Sequence, residues 1–282
     1  MNKFKPFSLN IKGHRVSFTC PAVMGILNIT PDSFYSGSRA MTGADIDRRV
    51  GQLLAEEPDM IDIGGYSSRP GADDVPPAEE LRRLEAGIEA VRKLDGNIPL
   101  SVDTFRADVA RTAVTSLGAD IIDDISGGTL DDNMMQTVAD TRAPYIMMHM
   151  RGTPADMQQH TDYNDVAADV TEWLSRRIAM FSLAGADDII VDPGFGFSKT
   201  LGQNYELLAN LGLLSSLGRP VLVGVSRKSM IFKALDTTPE QSLNGTTVIN
   251  TLALERGASI LRVHDVTPAR QAVTLLYNTN LL

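Results

Sequence analysis

The chain has 282 residues, 43% of them apolar and 22% charged, a composition that excludes a disordered chain and, lacking any period, a collagen or coiled coil. A single cysteine, Cys20, excludes an internal disulfide and a thiolate-rich metal centre, and no run of 18 apolar residues offers a membrane span. With 26 basic against 35 acidic residues the net charge is −9, which opposes non-specific nucleic-acid binding and obliges any anionic ligand to find a local cluster of cations.

Met1-Asn-Lys-Phe-Lys-Pro carries charge without the apolar stretch of a signal peptide, so a cytoplasmic location is expected. Next, Phe7 to Ile11 and Val16 to Phe18 flank Lys12-Gly13-His14-Arg15, the pattern of a β-hairpin. Eight short apolar runs then follow: 22–29, 60–63, 100–102, 121–125, 145–148, 189–191, 221–225 and 260–263. Several are apolar throughout, as strands of a parallel sheet covered on both faces are.

Between the runs the period changes to that of helices. Ile46, Val50, Leu53 and Leu54 form one stripe, and Leu81, Leu84, Ile88 and Val91 a second. Val166, Val170, Trp173, Leu174, Ile178 and Phe181 form a third. Helix starts are signalled by Thr42 before Asp45, Thr238-Pro239 before Gln241, and Thr267-Pro268. Eight βα units with short connections predict one domain over residues 1–282, a (β/α)8 barrel whose bottom the hairpin closes. A doubly wound open sheet is disfavoured, because no Gly-x-Gly-x-x-Gly turn follows the first strand.

Polar residues gather at the strand ends: Asn28, Asp103, Asp123 with Asp124, His149, Asp192, Ser226-Arg227-Lys228, and Arg262 with His264. In a barrel these ends converge on one face, where active sites lie. Asp103, Asp123 and Asp192 read as an acidic floor, and Arg69, Lys228, Arg262 and His264 as cations at its rim. That combination suits a ligand with a hydrogen-bond-donating part and an anionic part.

Met24-Gly-Ile-Leu-Asn-Ile-Thr-Pro-Asp-Ser-Phe34, Asp62-Ile-Gly-Gly, Ser67-Ser-Arg-Pro-Gly-Ala72, Ser101-Val-Asp-Thr104, Asp192-Pro-Gly-Phe-Gly-Phe197, Ser226-Arg-Lys-Ser229 and Arg262-Val-His-Asp265 resemble, in order and over nearly the whole chain, bacterial dihydropteroate synthase. The resemblance implies a (β/α)8 barrel, usually in a homodimer. It further implies condensation of 6-hydroxymethyl-7,8-dihydropterin diphosphate with 4-aminobenzoate, releasing diphosphate and 7,8-dihydropteroate, a step of folate synthesis inhibited by sulfonamides.

The resemblance also implies roles. Asp192 would accept from the pterin 2-amino and N3 hydrogens, Lys228 would donate to the ring carbonyl and nitrogen, and Asp103 would accept at the far edge of the ring. Asp123 would lie at the ring as well, while Met148 and Phe197 would line the pocket or simply pack as core. Asn28, Arg262 and His264 map to the diphosphate site, with Mg2+ held by Asn28 and substrate oxygens. The segments 30–38 and 67–72 resemble mobile loops that form the aminobenzoate pocket. Thr30, Pro31, Asp32 and Phe34 belong to the first and Ser67, Ser68, Arg69 and Pro70 to the second, with Ser226 near the carboxylate. Arg262, His264, Lys228 and Asp103 are the expected catalytic groups. His149 reads equally as a core histidine.

Three positions depart from the family pattern. Asp123 stands where Asn is usual, and an ionised carboxylate cannot donate to a ring nitrogen as an amide can; Asp123 is therefore expected to bind pterin in its protonated form. Ser36 replaces a frequent Asp, with Asp32 the nearest substitute, and Tyr66 replaces a common Glu, where a packing role is expected. A corrinoid-dependent methyltransferase barrel would share the pterin floor without using Arg69, Arg262 and His264. A non-catalytic pterin-binding homologue would bind without turnover. A phosphosugar aldolase would need its Schiff-base lysine within a strand, whereas Lys228 follows one.

Overall fold

The computed structural model describes residues 4–30, 42–67 and 74–279. At its start, β1 (Phe7–Ile11) and β2 (His14–Phe18) pair antiparallel with Ile11 opposite His14. The turn is therefore only Lys12-Gly13, both at positive φ (49° and 82°), the geometry that matches the twist of a tight hairpin. His14 and Arg15, expected in the turn, are strand residues.

Eight parallel strands follow: β3 (Ala22–Asn28), β4 (Met60–Gly64), β5 (Leu100–Asp103), β6 (Ile121–Asp124), β7 (Tyr145–Met148), β8 (Ile189–Asp192), β9 (Leu222–Val223) and β10 (Ile260–Val263). Their order is β8-β7-β6-β5-β4-β3-β10-β9, and a parallel bridge between Val191 and Val221 joins the two ends into a closed barrel. The strand expected at 221–225 is shorter. Gly224 and Val225 leave the ladder for a turn in which Lys228 N donates to Val225 O and Arg227 takes φ 55°.

The helices lie between the strands: α1 (Gly43–Ala55), α2 (Pro77–Leu94), α3 (Ala107–Thr112), α4 (Met134–Thr141), α5 (Val166–Leu183), α6 (Leu201–Ala209), α7 (Ser229–Phe232), α8 (Leu243–Glu255) and α9 (Val266–Asn278). The expected stripes bury Ile46, Val50 and Leu53 on α1, Leu84, Ile88 and Val91 on α2, and Val166, Val170, Leu174 and Phe181 on α5. Thr42 caps α1 in a reciprocal capping box with Asp45. Thr238-Pro239 marks a turn instead of a helix start, because Ser242 Oγ bonds Pro239 O and α8 begins only at Leu243.

The period of two along each strand sorts the barrel into layers. Leu9 and Ile11 of the hairpin pack with Ala22, Met24, Met60, Ile121, Ile146, Ile190, Leu222 and Ile260 to fill the bottom of the barrel. Two residues further along the same strands stand Asp62, Asp123, Met148, Asp192, Gly224 and Arg262. The fold thus places a polar layer directly above an apolar plug. Asp124, one residue out of phase with Asp123, faces the helices, where it accepts from Tyr145 Oη (2.7 Å), Ser126 N and Gly128 N (both 2.8 Å).

Truncating the plug leaves a cavity that rigid strands cannot close. Leu9→Ala, at a side chain only 1% exposed, is expected to lower stability by roughly 2–4 kcal/mol. Urea denaturation checks this.

Candidate active site

The polar layer centres on Arg262. Its Nε donates to Asp62 Oδ2 (2.8 Å), its Nη2 donates to the same oxygen and to Asp103 Oδ2 (2.8 Å), and Asp123 Oδ2 stands 3.5 Å from Nε. Arg262, expected at the rim, is thus bound into the floor. Burial alone would lower its pKa, but Asp62, Asp103 and Asp123 outweigh that and hold the guanidinium firmly charged. Three carboxyl groups on one cation leave a surplus of negative charge. Burial, opposed by Arg262 and reinforced by Asp62, raises Asp103 to about 7; burial and Asp62 push Asp123 well up.

Asp62 is the floor residue that the sequence reading missed. It is fully buried between Ile61 and Ile63, and its parity with Met60 aims it into the barrel. A lone carboxylate in an otherwise apolar strand was the available signal.

Across the mouth, Asp192 ends β8, and its Oδ1 accepts from Gly194 N at 2.7 Å. Lys228 Nζ donates to Phe195 O at 2.7 Å and lies 4.7 Å above the Phe197 ring. Asp192 Oδ2 and Lys228 Nζ both border Gly224: each is 3.9 Å from where a Cβ on that glycine would stand. Burial raises the Asp192 pKa, with Lys228 pulling against it, and burial lowers Lys228 to about 8 with Asp192 opposing. Phe105, Leu130 and Phe197 pack on buried Ile125, Met148, Met150 and Met157, an apolar wall beside the charged floor. Met148 and Phe197 are therefore brought to the mouth.

His264 and Ser226 are coupled: His264 N donates to Ser226 Oγ (3.2 Å), and His264 Nδ1 is 3.0 Å from the same oxygen. Arg227 points away, forked onto Asp265 at 2.8 and 3.0 Å. His149 is buried behind the site with Nδ1 3.2 Å from Lys199 Nζ, and burial holds its pKa well below the usual range. It belongs to the core beneath the mouth.

Asn28 ends β3, and Gly64 leaves room for its amide, since a Cβ there would come 2.8 Å from Asn28 Oδ1. An amide oxygen is the hard donor Mg2+ accepts. Among the described residues no group of three or more His, Cys, Asp or Glu stands together to hold a metal. A cation at Asn28 would take its remaining ligands from substrate oxygens and water, so the residues fit Mg2+ on those terms.

Thr30 is buried and Ser67 partly buried at the stems of the two loops. Pro31, Asp32, Phe34, Ser36, Ser68, Arg69 and Pro70 lie outside the described residues. Tyr66 meets Phe105 edge-on at 5.2 Å, and the Arg106 guanidinium lies 5.2 Å from its ring centre, a packing role.

Residues 24–264 match the model of a family described as pterin binding enzyme. The dihydropteroate synthase of Synechocystis sp. is 43% identical over 247 residues, 86% of this chain and 85% of that one. This chain belongs to the dihydropteroate synthase family. The Xanthomonas albilineans dihydropteroate synthase solved with 4-aminobenzoic acid superposes with a TM-score of 0.89 at 40% identity, covering 98% of both chains. That of Yersinia pestis, solved in a sulfonamide drug complex, gives 0.90 at 36% identity over 97% of this chain and 99% of that one.

Removing the central guanidinium strands its carboxyl groups. Arg262→Met is expected to cost roughly 3–5 kcal/mol of stability near pH 8. The sign follows from Asp103, already raised to about 7 with Arg262 in place and higher without it. Below its folded pKa the carboxyl is neutral and little is lost, whereas above it the stranded charge is fully felt. Denaturation at pH 5 should therefore show a smaller loss than at pH 8.

Proposed function

We propose that this chain condenses 6-hydroxymethyl-7,8-dihydropterin diphosphate with 4-aminobenzoate, giving 7,8-dihydropteroate and diphosphate, as a transferase of folate synthesis. The observation that carries this reading is that Asp192 Oδ2 and Lys228 Nζ both border Gly224, beside an acid-rich floor, in a chain of the pterin-binding family. A carboxylate and an ammonium bordering one glycine complement the donor edge of a pterin and its carbonyl. Asp103 and Asp123 reach the far side of the ring, and Met148 and Phe197 cover its faces.

The diphosphate then projects towards His264, Arg262 and Asn28. Its departure builds negative charge, which these groups stabilise electrostatically. Mg2+ bound through Asn28 would supply further charge neutralisation there. Positive charge is left on the pterin methylene, above the carboxyl groups of the floor. The arylamine attacks a carbon that is already cationic, so the order is SN1-like and needs no strong general base. Ser226 orients His264 through its Oγ and lies where the aminobenzoate carboxylate would sit. Ser68 and Arg69 would complete the anion site, and Thr30, Pro31, Asp32, Phe34, Ser67 and Pro70 the walls that exclude water.

The same reading carries inhibition by sulfonamides in place of 4-aminobenzoate, a homodimeric assembly and a cytoplasmic location. Among the described residues no helix is long and apolar enough to cross a membrane. Gel filtration with light scattering tests the dimer.

A coupled assay of diphosphate release should give turnover only with 4-aminobenzoate present, and chelation of Mg2+ should lower the rate by about tenfold or more. Methyl transfer to a corrinoid without diphosphate release would sink the reading.

Asp123 gives a second test. Its raised pKa keeps it protonated, and able to donate, below that pKa; as pH rises through it, the donor is lost. Wild-type pterin KM should rise as pH passes up through the Asp123 pKa, whereas Asp123→Asn should stay within about threefold of wild type below it and hold its KM to higher pH. A large loss at every pH would mean that the charge itself is required.

A further inference from the structure

Lys199 is unused by this mechanism, yet it is buried to 3% exposure directly behind Asp192 and Lys228. Its ammonium has three donors and meets three acceptors: Gly194 O at 2.9 Å, Phe197 O at 3.0 Å and His149 Nδ1 at 3.2 Å. His149 is held neutral by burial and by Lys199 itself, which makes its Nδ1 an acceptor. Burial also drags Lys199 down to about 7 despite the pull of Asp192. So costly a buried cation calls for a reason.

The reason lies in the loop it grips. Residues 193–198 leave β8 and return on themselves, with Gly194 and Gly196 at positive φ (71° and 83°). A Cβ on Gly194 would come within 2.0 Å of His149 O, so the loop is pressed against the end of β7 with no slack. The inner side of the loop turns Gly194 O and Phe197 O to Lys199. Its outer side holds the recognition groups: Gly194 N fixes Asp192 Oδ1, Phe195 O fixes Lys228 Nζ, and the Phe197 ring lies beneath Lys228. Asn204 ties the far end, accepting from Gly196 N (2.6 Å) and donating to Lys199 O and Thr200 O. The two lysines thus hold one loop from opposite sides.

We propose that Lys199 is a positioning residue for pterin recognition: by drawing the loop inward it sets the spacing at which Asp192 and Lys228 face the ring. The inference rests on the pterin-binding reading above and adds a residue that never touches substrate. Without the ammonium, Phe197 O and His149 Nδ1 lose this buried donor, and Gly194 O keeps only the bond from Phe197 N (3.1 Å). The loop must then move to reach water, taking the partners of Asp192 and Lys228 with it.

The test uses Lys199→Met, close in length and without charge, alongside His149→Leu, which removes one acceptor and leaves the ammonium its two carbonyls. Calorimetric titration with 6-hydroxymethyl-7,8-dihydropterin diphosphate, with no 4-aminobenzoate present, should show affinity weakened roughly tenfold or more in Lys199→Met and less in His149→Leu. The double variant should bind no worse than Lys199→Met alone, because both substitutions act on one contact set. In steady state, pterin KM should rise while kcat at saturation and the 4-aminobenzoate KM stay within about threefold. A merely structural lysine would lower the active fraction and kcat with the affinity of the folded protein unchanged, and that result overturns the proposal. Should Lys199→Met not fold, unchanged pterin affinity in His149→Leu overturns it equally. Wild-type binding without turnover would instead defeat the functional reading, and the comparison of affinities would still decide the role of Lys199.

Discussion

One guanidinium surrounded by carboxyl groups constrains everything at the mouth of this barrel. Asp62, Asp103 and Asp123 come from three neighbouring strands; Asp103 and Asp123 are register partners, while Asp62 pairs with Ser101, two residues before Asp103. Arg262 enters from β10, on the other side of β3 from β4, and reaches inward to all three. In a site shielded from water such a group of acids is tolerable only if a cation is fixed among them and some of the protons stay on. Both conditions hold here: Arg262 is firmly charged, while Asp103 and Asp123 bind protons more readily than ordinary carboxyl groups. The floor is therefore a mixed surface of donors and acceptors, which is what a heterocycle with alternating edge groups requires.

Much of the barrel was legible in the sequence because each strand is buried on both faces. Runs such as Tyr145–Met148 and Ile260–Val263 stand out from the helical stripes between them, and both were read to the residue. Errors fell where turn chemistry decides. Thr238-Pro239 carries the letters of a helix start, yet proline and the Ser242 hydroxyl make a turn of it. Gly224 belongs by composition to a strand, but the chain leaves the ladder there so that Ser226 and Lys228 can face the mouth.

The site was legible in its residues and less so in its pairing. The strand-end positions of Asp103, Asp123, Asp192, Lys228 and Arg262 follow from period and motif. That Arg262 would lie in the floor does not, because a pattern of residues along one chain carries no information on which side chain crosses the barrel. Asp62 was overlooked for the same reason: its meaning is its contact with a residue 200 positions away. Lys199 is a harder case. A lysine in a glycine-rich loop reads as a solvated charge, and only the three buried acceptors around it reveal otherwise.

The pairing also bears on the order of chemistry. If the cations stood free at the rim, diphosphate would meet them whether or not a pterin was seated. With Arg262 already engaged by Asp62 and Asp103, its charge is partly spent on the floor. Under the proposed function, a pterin that donates a hydrogen bond to Asp103 would weaken its hold on Arg262 and leave the guanidinium available to a phosphoryl oxygen nearby. Binding of the heterocycle and stabilisation of its leaving group are then linked through one side chain. Such coupling would favour departure of diphosphate only from a seated ring, before any nucleophile arrives, and would let an acidic protein of net charge −9 build an anion site so close to carboxyl groups.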